Sequence, residues 1–188
     1  MHVASTVTSA PSRTGVTTRP AGPDDASIVQ AVYSLTPGYF QIISIPVPTL
    51  EEVRTDLATA ATDPRRHAEL ILLDPSWPGV DVDDDPGHGP IDPLTGLRVA
   101  GYLDYKLDYP DKGDATVNLL LVLPWLQSLG IGAACATDLE RRLTGQSRRL
   151  LASIYGSNPR ARKFWERLGY TFAIDARPIL DWYAKLLN

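Results

Sequence analysis

Residues 120–133 read Leu-Leu-Val-Leu-Pro-Trp-Leu-Gln-Ser-Leu-Gly-Ile-Gly-Ala, and their punctuation decides the fold. An apolar run stops at Pro124, a short turn carries glycines at 130 and 132, and an apolar pattern at helical spacing begins behind them. The stretch is predicted as strand, turn and helix. The two glycines withdraw side chains where a ligand would meet the backbone, and the helix start offers unpaired N–H groups at the positive end of its dipole. Such a turn suits a phosphate or pyrophosphate, and it also serves as a plain tight connection.

Working outward, Ala115 to Leu123 is apolar at nearly every position from Val117, which predicts a strand buried on both faces. The turn Asp111-Lys112-Gly113-Asp114 joins it to the alternating segment Arg98 to Asp108 as an antiparallel hairpin. Downstream, Ile131, Cys135, Leu139 and Leu143 recur every fourth residue in a helix to Thr144, with Gly145 as its cap. Arg148 to Tyr155 is another buried strand. Asn158-Pro159 opens a second helix with Ala161, Phe164, Trp165 and Leu168 on one face, ended by Gly169. Thr171 to Asp175 and Ile179 to Leu187 are predicted as the last two strands.

Nearer the start, Thr17 to Ala21 is a short strand, and Asp24 is the expected N-cap of a helix over Ala26 to Leu35. Tyr39 to Pro48 is an apolar loop. Thr49-Leu-Glu-Glu52 is a capping box, and the helix behind it ends at Asp63-Pro64. Glu69 to Asp74 is a strand, and the Pro-, Gly- and Asp-rich segment from Pro75 to Gly96 is an exposed connection. Asp81, Asp83, Asp85 and Asp92 imitate the spacing of a calcium loop, but Pro86 stands where the glycine belongs and the last acid is not Glu, so a solvated acidic loop is expected. His2, His67 and His88 share no metal-ligand spacing, and no metal is expected.

At 188 residues the chain is read as one domain over 17–188 behind a disordered Ser/Thr/Pro-rich tail at 1–16. Cys135, the single cysteine, excludes a disulfide framework within the chain and reads as a buried apolar filler, which fits a reducing cytoplasm. No apolar run is long enough to span a bilayer, and a net charge of -4 argues against nonspecific nucleic-acid binding.

Taken together, the two strand-and-helix units resemble a known family. Gln127-Ser-Leu-Gly130-Ile-Gly132-Ala133 is similar to the acyl-coenzyme A signature of the GNAT N-acetyltransferases, Gln/Arg-x-x-Gly-x-Gly/Ala behind a strand ending in valine and proline. Asn158-Pro-Arg-Ala161-Arg-Lys-Phe164-Trp165-Glu-Arg-Leu168-Gly169-Tyr170 resembles the second signature, Asn-x-x-Ala-x-x-Phe-Tyr-x-x-x-Gly-Phe. The likeness runs from about Thr17 to the C-terminus. It implies an α/β fold with a central, mostly antiparallel mixed sheet flanked by helices, in which two parallel strands, Ala115 to Leu123 and Arg148 to Tyr155, splay apart to admit the pantetheine arm.

The resemblance also implies roles. Gln127, Ser128, Leu129, Gly130, Ile131, Gly132 and Ala133 would hold the pyrophosphate of acetyl-CoA, and the backbone of Leu121, Val122 and Leu123 would meet pantetheine and the acyl carbonyl. An N–H near Val122 would stabilise the oxyanion, worth roughly 3 kcal/mol in comparable sites. Asn158 would touch the cofactor and also cap its helix. Arg160, Arg162 and Lys163 either add charge beside the phosphates, where Ser128 and Leu129 replace the family's basic residues, or form a solvated face. Trp165 replaces the tyrosine that often protonates the leaving thiolate. Tyr155 is a substitute candidate or a structural tyrosine. Asp104 is a candidate base or a solvent-facing acid, and Tyr39 and Phe40 either contact the acceptor or close the core. The expected reaction is acetyl transfer to a primary amine of a small molecule or peptide by direct attack, with a homodimer possible as in the family. The alternative is an acyl-coenzyme A binding domain without catalysis.

Overall fold

A computed structural model describes residues 16–80, 88–177 and 180–187; residues 1–15 of the expected tail and the acids Asp81, Asp83 and Asp85 lie outside these residues, whereas Val16, expected in the tail, is buried as the first residue of a strand. Seven strands, β1 (Val16–Pro20), β2 (Arg66–Leu73), β3 (Arg98–Leu107), β4 (Asp114–Val122), β5 (Arg149–Tyr155), β6 (Thr171–Arg177) and β7 (Leu180–Leu186), form one sheet in the order β1-β2-β3-β4-β5-β7-β6. Every neighbouring pair is antiparallel except β4 with β5. The helices are α1 (Ala26–Leu35), α2 (Pro37–Ile42), α3 (Leu50–Thr62), α4 (Ile131–Leu143) and α5 (Pro159–Arg167).

Alternation along β2 assigns the helices to faces. Arg66 reaches Asp56 of α3, whereas Glu69, an odd number of residues away, reaches Arg142 of α4. Thus α3 covers one face and α4 the other. On the α3 face Tyr33 of α1 packs edge-on to Tyr102 of β3 with centroids 5.7 Å apart. Ile28, Val29, Val32 and Tyr33 form the buried stripe of α1, and the Thr49–Glu52 box caps α3 reciprocally.

Three local expectations are corrected. The cap of α1 is Asp25, not Asp24; the Asp25 carboxylate turns back to accept from the Gly22 N–H at 2.9 Å. Residues 37–42 form a helical turn and a half rather than a loop, begun by Pro37 at its first position. Asp92 is not solvated but fully buried, accepting from Arg19 Nε at 3.0 Å and from Thr95 Oγ1 at 2.6 Å. Arg19 also reaches Asp25, so one guanidinium ties β1, the entry to α1 and the long connection together.

Arg19 holds the Asp92 and Asp25 carboxyls below the usual range. A depressed native pKa adds stability above the unfolded value of about 4 and loses it as the pH falls below that. The protein should therefore weaken progressively in acid. Asp92→Ala, which leaves the partly buried Arg19 with Asp25 as its remaining carboxylate partner, should cost about 2 kcal/mol in urea unfolding at pH 7, with the difference from wild type shrinking toward pH 3.

Candidate functional site

The parallel pairing of β4 with β5 runs only from Asp114↔Arg149 to Val117↔Ala152. There β4 carries a bulge: Asp104 of β3 faces Leu119 and Tyr105 faces Val117, so Asn118 is the extra residue. Beyond it the two strands part, and a cleft of about 900 Å³ opens between them. This corrects the expectation that β4 is buried on both faces, since Asn118, Leu119, Leu120 and Val122 are only half-buried along the cleft wall.

One end of the cleft is the glycine turn. Pro124–Leu126 makes a single tight turn, Ser128 and Gly130 take left-handed conformations at φ 69° and 88°, and α4 begins at Ile131. The first bond inside α4 runs from the Ala134 N–H to the Gly130 carbonyl at 2.9 Å, so the N–H groups of Ile131, Gly132 and Ala133 precede the helical ladder. A Cβ on Gly132 would stand 3.5 Å from both Phe164 and Val122, at ordinary contact distance, so the protein interior does not itself demand glycine there. Free N–H groups, a dipole end and missing side chains fit a pyrophosphate. Trp77 backs the turn from outside, donating Nε1–H to the Leu129 carbonyl at 3.2 Å.

The wall itself has directional backbone. The Leu123 N–H bonds the Ala100 carbonyl of β3 at 2.9 Å, so alternation sends the peptide groups of Leu120 and Val122 to the opposite edge, toward the gap. Gln127 Nε2 donates to the Val122 carbonyl at 2.8 Å, which leaves the Val122 N–H as the directed donor. Opposite stand Ser153, Ile154 and Tyr155 of β5, and Asn158, Arg160 and Ala161 at the start of α5. The Asn158 side chain accepts from the Ala161 N–H at 3.0 Å, capping α5.

The other end is built by Leu35, Thr36, Pro37, Gly38, Tyr39 and Ile42. Burial, with Tyr155 nearby, pushes the Tyr39 hydroxyl up to about 12, so it stays protonated at neutral pH. Tyr155 is 36 % exposed.

Of the residues singled out by sequence, Leu121, Val122, Gln127, Ser128, Gly130, Gly132, Ala133, Asn158, Arg160, Tyr39 and Tyr155 line the cleft. Leu123 and Ile131 are fully buried beside it, and Leu129 and Arg162 are exposed outside its lining. Phe40 is buried edge-on to Tyr33 at 5.1 Å. Asp104 is neither solvent-facing nor on the cleft: it is 2 % exposed and accepts from Arg66 Nε at 2.8 Å and Asn118 Nδ2 at 2.7 Å. Burial pushes its carboxyl up, opposed by those two bonds. Trp165 is buried between Phe164 and Tyr170, and burial pushes the Cys135 thiol up to about 12, which makes it a poor nucleophile.

Sequence inspection passed over Asn118 and Arg167, both on the cleft. A single amide inside the apolar run Val117 to Leu123 was a readable signal for the first, because a polar group within a buried strand needs a partner. Arg167 carried none. Among the described residues no group of His, Cys, Asp and Glu is arranged to hold a metal, and no helix is long and apolar enough to cross a membrane.

The model of the acetyltransferase (GNAT) family matches residues 50–170. An acetyltransferase from Thermus thermophilus is similar over 92 % of this chain and 97 % of its own, at 36 % identity and a TM-score of 0.77. Two more distant structures share the fold. A spermidine N-acetyltransferase from Vibrio cholerae, in complex with CoA and spermine, is 11 % identical over 93 % of this chain and 97 % of its own at a TM-score of 0.67. A Salmonella typhimurium acetyltransferase that modifies the N-terminal serine of ribosomal protein L7/L12 is 14 % identical over 95 % and 98 % at a TM-score of 0.71. No curated protein matches the chain.

Proposed function

The chain belongs to the GNAT acetyltransferase family, and from that premise we propose that residues 17–188 act as one N-acetyltransferase unit moving an acetyl group from acetyl-CoA to a primary amine by direct attack. The observation that carries this is the continuity of the cleft: a helix-start anion cradle, a strand edge with outward N–H groups and an open far end lie along one gap in the sheet. Acetyl-CoA supplies an acetyl group already activated as a thioester. The chain supplies alignment, which accounts for much of the acceleration in such transfers.

In this reading the N–H groups of Ile131, Gly132 and Ala133 bind the pyrophosphate, with Arg160 and Arg167 adding positive charge from α5. The Val122 N–H donates to the acyl oxygen as negative charge gathers there. The amine forms its C–N bond as the C–S bond breaks, its surplus proton passes to water, and the departing thiolate takes a proton from Tyr155, which recovers one from water. Cys135, on the buried side of α4, carries no acetyl group between the two substrates, and a buried unpaired thiol fits the cytoplasm as the site of action.

A thiol-release assay with acetyl-CoA and a panel of benzylamine, spermidine and a serine-initiated hexapeptide tests the proposal. Turnover on at least one amine is expected; tight coenzyme A binding without turnover on any would make the chain a binding domain. Tyr155→Phe should lower kcat about tenfold with KM for acetyl-CoA little changed, since a thiolate leaves partly unaided while a matched acid contributes more elsewhere. An unchanged kcat would remove Tyr155 from the mechanism.

A further inference from the structure

We infer that Asn118 is the group that receives the acceptor amine, and that Asp104 is its positioning residue. The inference rests on the acetyltransferase reading of the cleft and adds a residue to it. Asn118 is the bulge residue at the point where β4 and β5 part, so it stands at the inner end of the gap. A carboxylate can only accept, so the 2.7 Å bond to Asp104 fixes the amide nitrogen of Asn118 toward β3 and its Oδ1 away from it. Asn118 is half-buried and on the cleft wall, and Oδ1 is the atom left to meet a ligand.

The support behind the amide is rigid. Asp104 is held by Arg66 Nε at 2.8 Å, and Arg66 is held in turn by both oxygens of Asp56 at 2.9 and 2.7 Å. This series of bonds lies on the sheet face covered by α1 and α3, the face from which Leu35, Thr36 and Tyr39 line the far end of the cleft. The phosphate cradle at the start of α4 belongs to the other end of the gap. An amine entering from the α1–α2 side therefore passes Asn118 before it reaches the strand edge at Leu120 and Val122. An amide oxygen there accepts one N–H of the neutral amine and leaves the nitrogen lone pair to turn toward the gap. Asp104, with both oxygens occupied and no place on the cleft wall, acts through Asn118 rather than on the substrate.

The test compares Asn118→Ala, Asn118→Asp and Asp104→Asn with wild type, reading kcat and KM for each amine of the panel, coenzyme A affinity by calorimetry and the unfolding midpoint. Asn118→Ala should raise KM for the amine at least tenfold and leave the coenzyme A dissociation constant within twofold. Asn118→Asp keeps an oxygen and should recover most of that loss, with a new dependence on pH in the acid range from two carboxyls sharing one site. Asp104→Asn should reproduce part of the loss although it never touches the amine. An unchanged amine KM in Asn118→Ala, or an equal loss of coenzyme A affinity, overturns the inference. If Asn118→Ala fails to fold, the pH signature of Asn118→Asp decides by the same criterion. If wild type acetylates no amine, the acetyltransferase proposal has failed separately. The inference is then judged by titrating methylamine into the coenzyme A-loaded protein: movement of the Asn118 side-chain NH2 resonances upholds it, and their constancy overturns it.

Discussion

Replacing Gly132 with aspartate should raise the dissociation constant for coenzyme A at least a hundredfold while leaving the unfolding midpoint unchanged or slightly higher. The two effects separate because Gly132 is the second residue of α4. An aspartate in the first turn of a helix is favoured by the dipole, by about 0.3–1 kcal/mol, and it also removes the helical penalty of glycine. Its Cβ meets Phe164 and Val122 only at ordinary contact distance, so the packing tolerates the branch point of the new side chain. The same carboxylate stands where the pyrophosphate is proposed to bind. A like-charge contact at 4 Å and an effective dielectric constant of 20 is worth about 4 kcal/mol, more than the 2.7 kcal/mol or so that a hundredfold loss requires. Calorimetric titration with coenzyme A, alongside thermal unfolding of the free protein, reads both numbers. Undiminished affinity would move the phosphates elsewhere.

The second large effect is on the sheet. Gly101 lies on β3 opposite Val122, and a Cβ there would sit 2.0 Å from the Leu121 carbonyl oxygen and 3.0 Å from its carbon. These are backbone atoms of the neighbouring strand, so relief requires pushing β4 away from β3. Gly101→Ala should therefore cost about 3 kcal/mol or more, near the upper range for overpacking, and lower the midpoint by roughly 6 °C or more in a chain of this size. The displaced strand is the wall of the cleft, so acetyl transfer should fall with it. A midpoint within a degree of wild type would show that β3 and β4 can part here without loss.

Much of the architecture was legible because local chemistry and tertiary structure agree. The Thr49–Glu52 box, the four-residue spacing of Ile131 to Leu143 and the Asn158-Pro159 start each specify a helix without help from elsewhere in the chain. The unread features depend on distant partners. Asp104 and Asp92 look like surface acids in sequence and are buried, because Arg66 stands 38 residues from the first and Arg19 73 residues from the second. Glu69 is equally hidden, with Arg142 supplying two bonds from α4. The turn itself was plain from its glycines, but Gln127 donating back to Val122 was not, since a cleft-facing amide and a bracing amide read alike in sequence. The short α2 escaped because six residues are too few to show a helical period.

The indole of Trp77 is fastened to the Leu129 carbonyl of the glycine turn. Indole fluorescence responds to the hydrogen bond and the electric field at its nitrogen, so the turn carries its own optical reporter. Of the four tryptophans, replacing Trp125, Trp165 and Trp182 with phenylalanine would leave one indole, seated beside the proposed phosphate cradle. Loading and release at the cradle could then be timed in the stopped flow without labelling the protein or waiting for the chemistry.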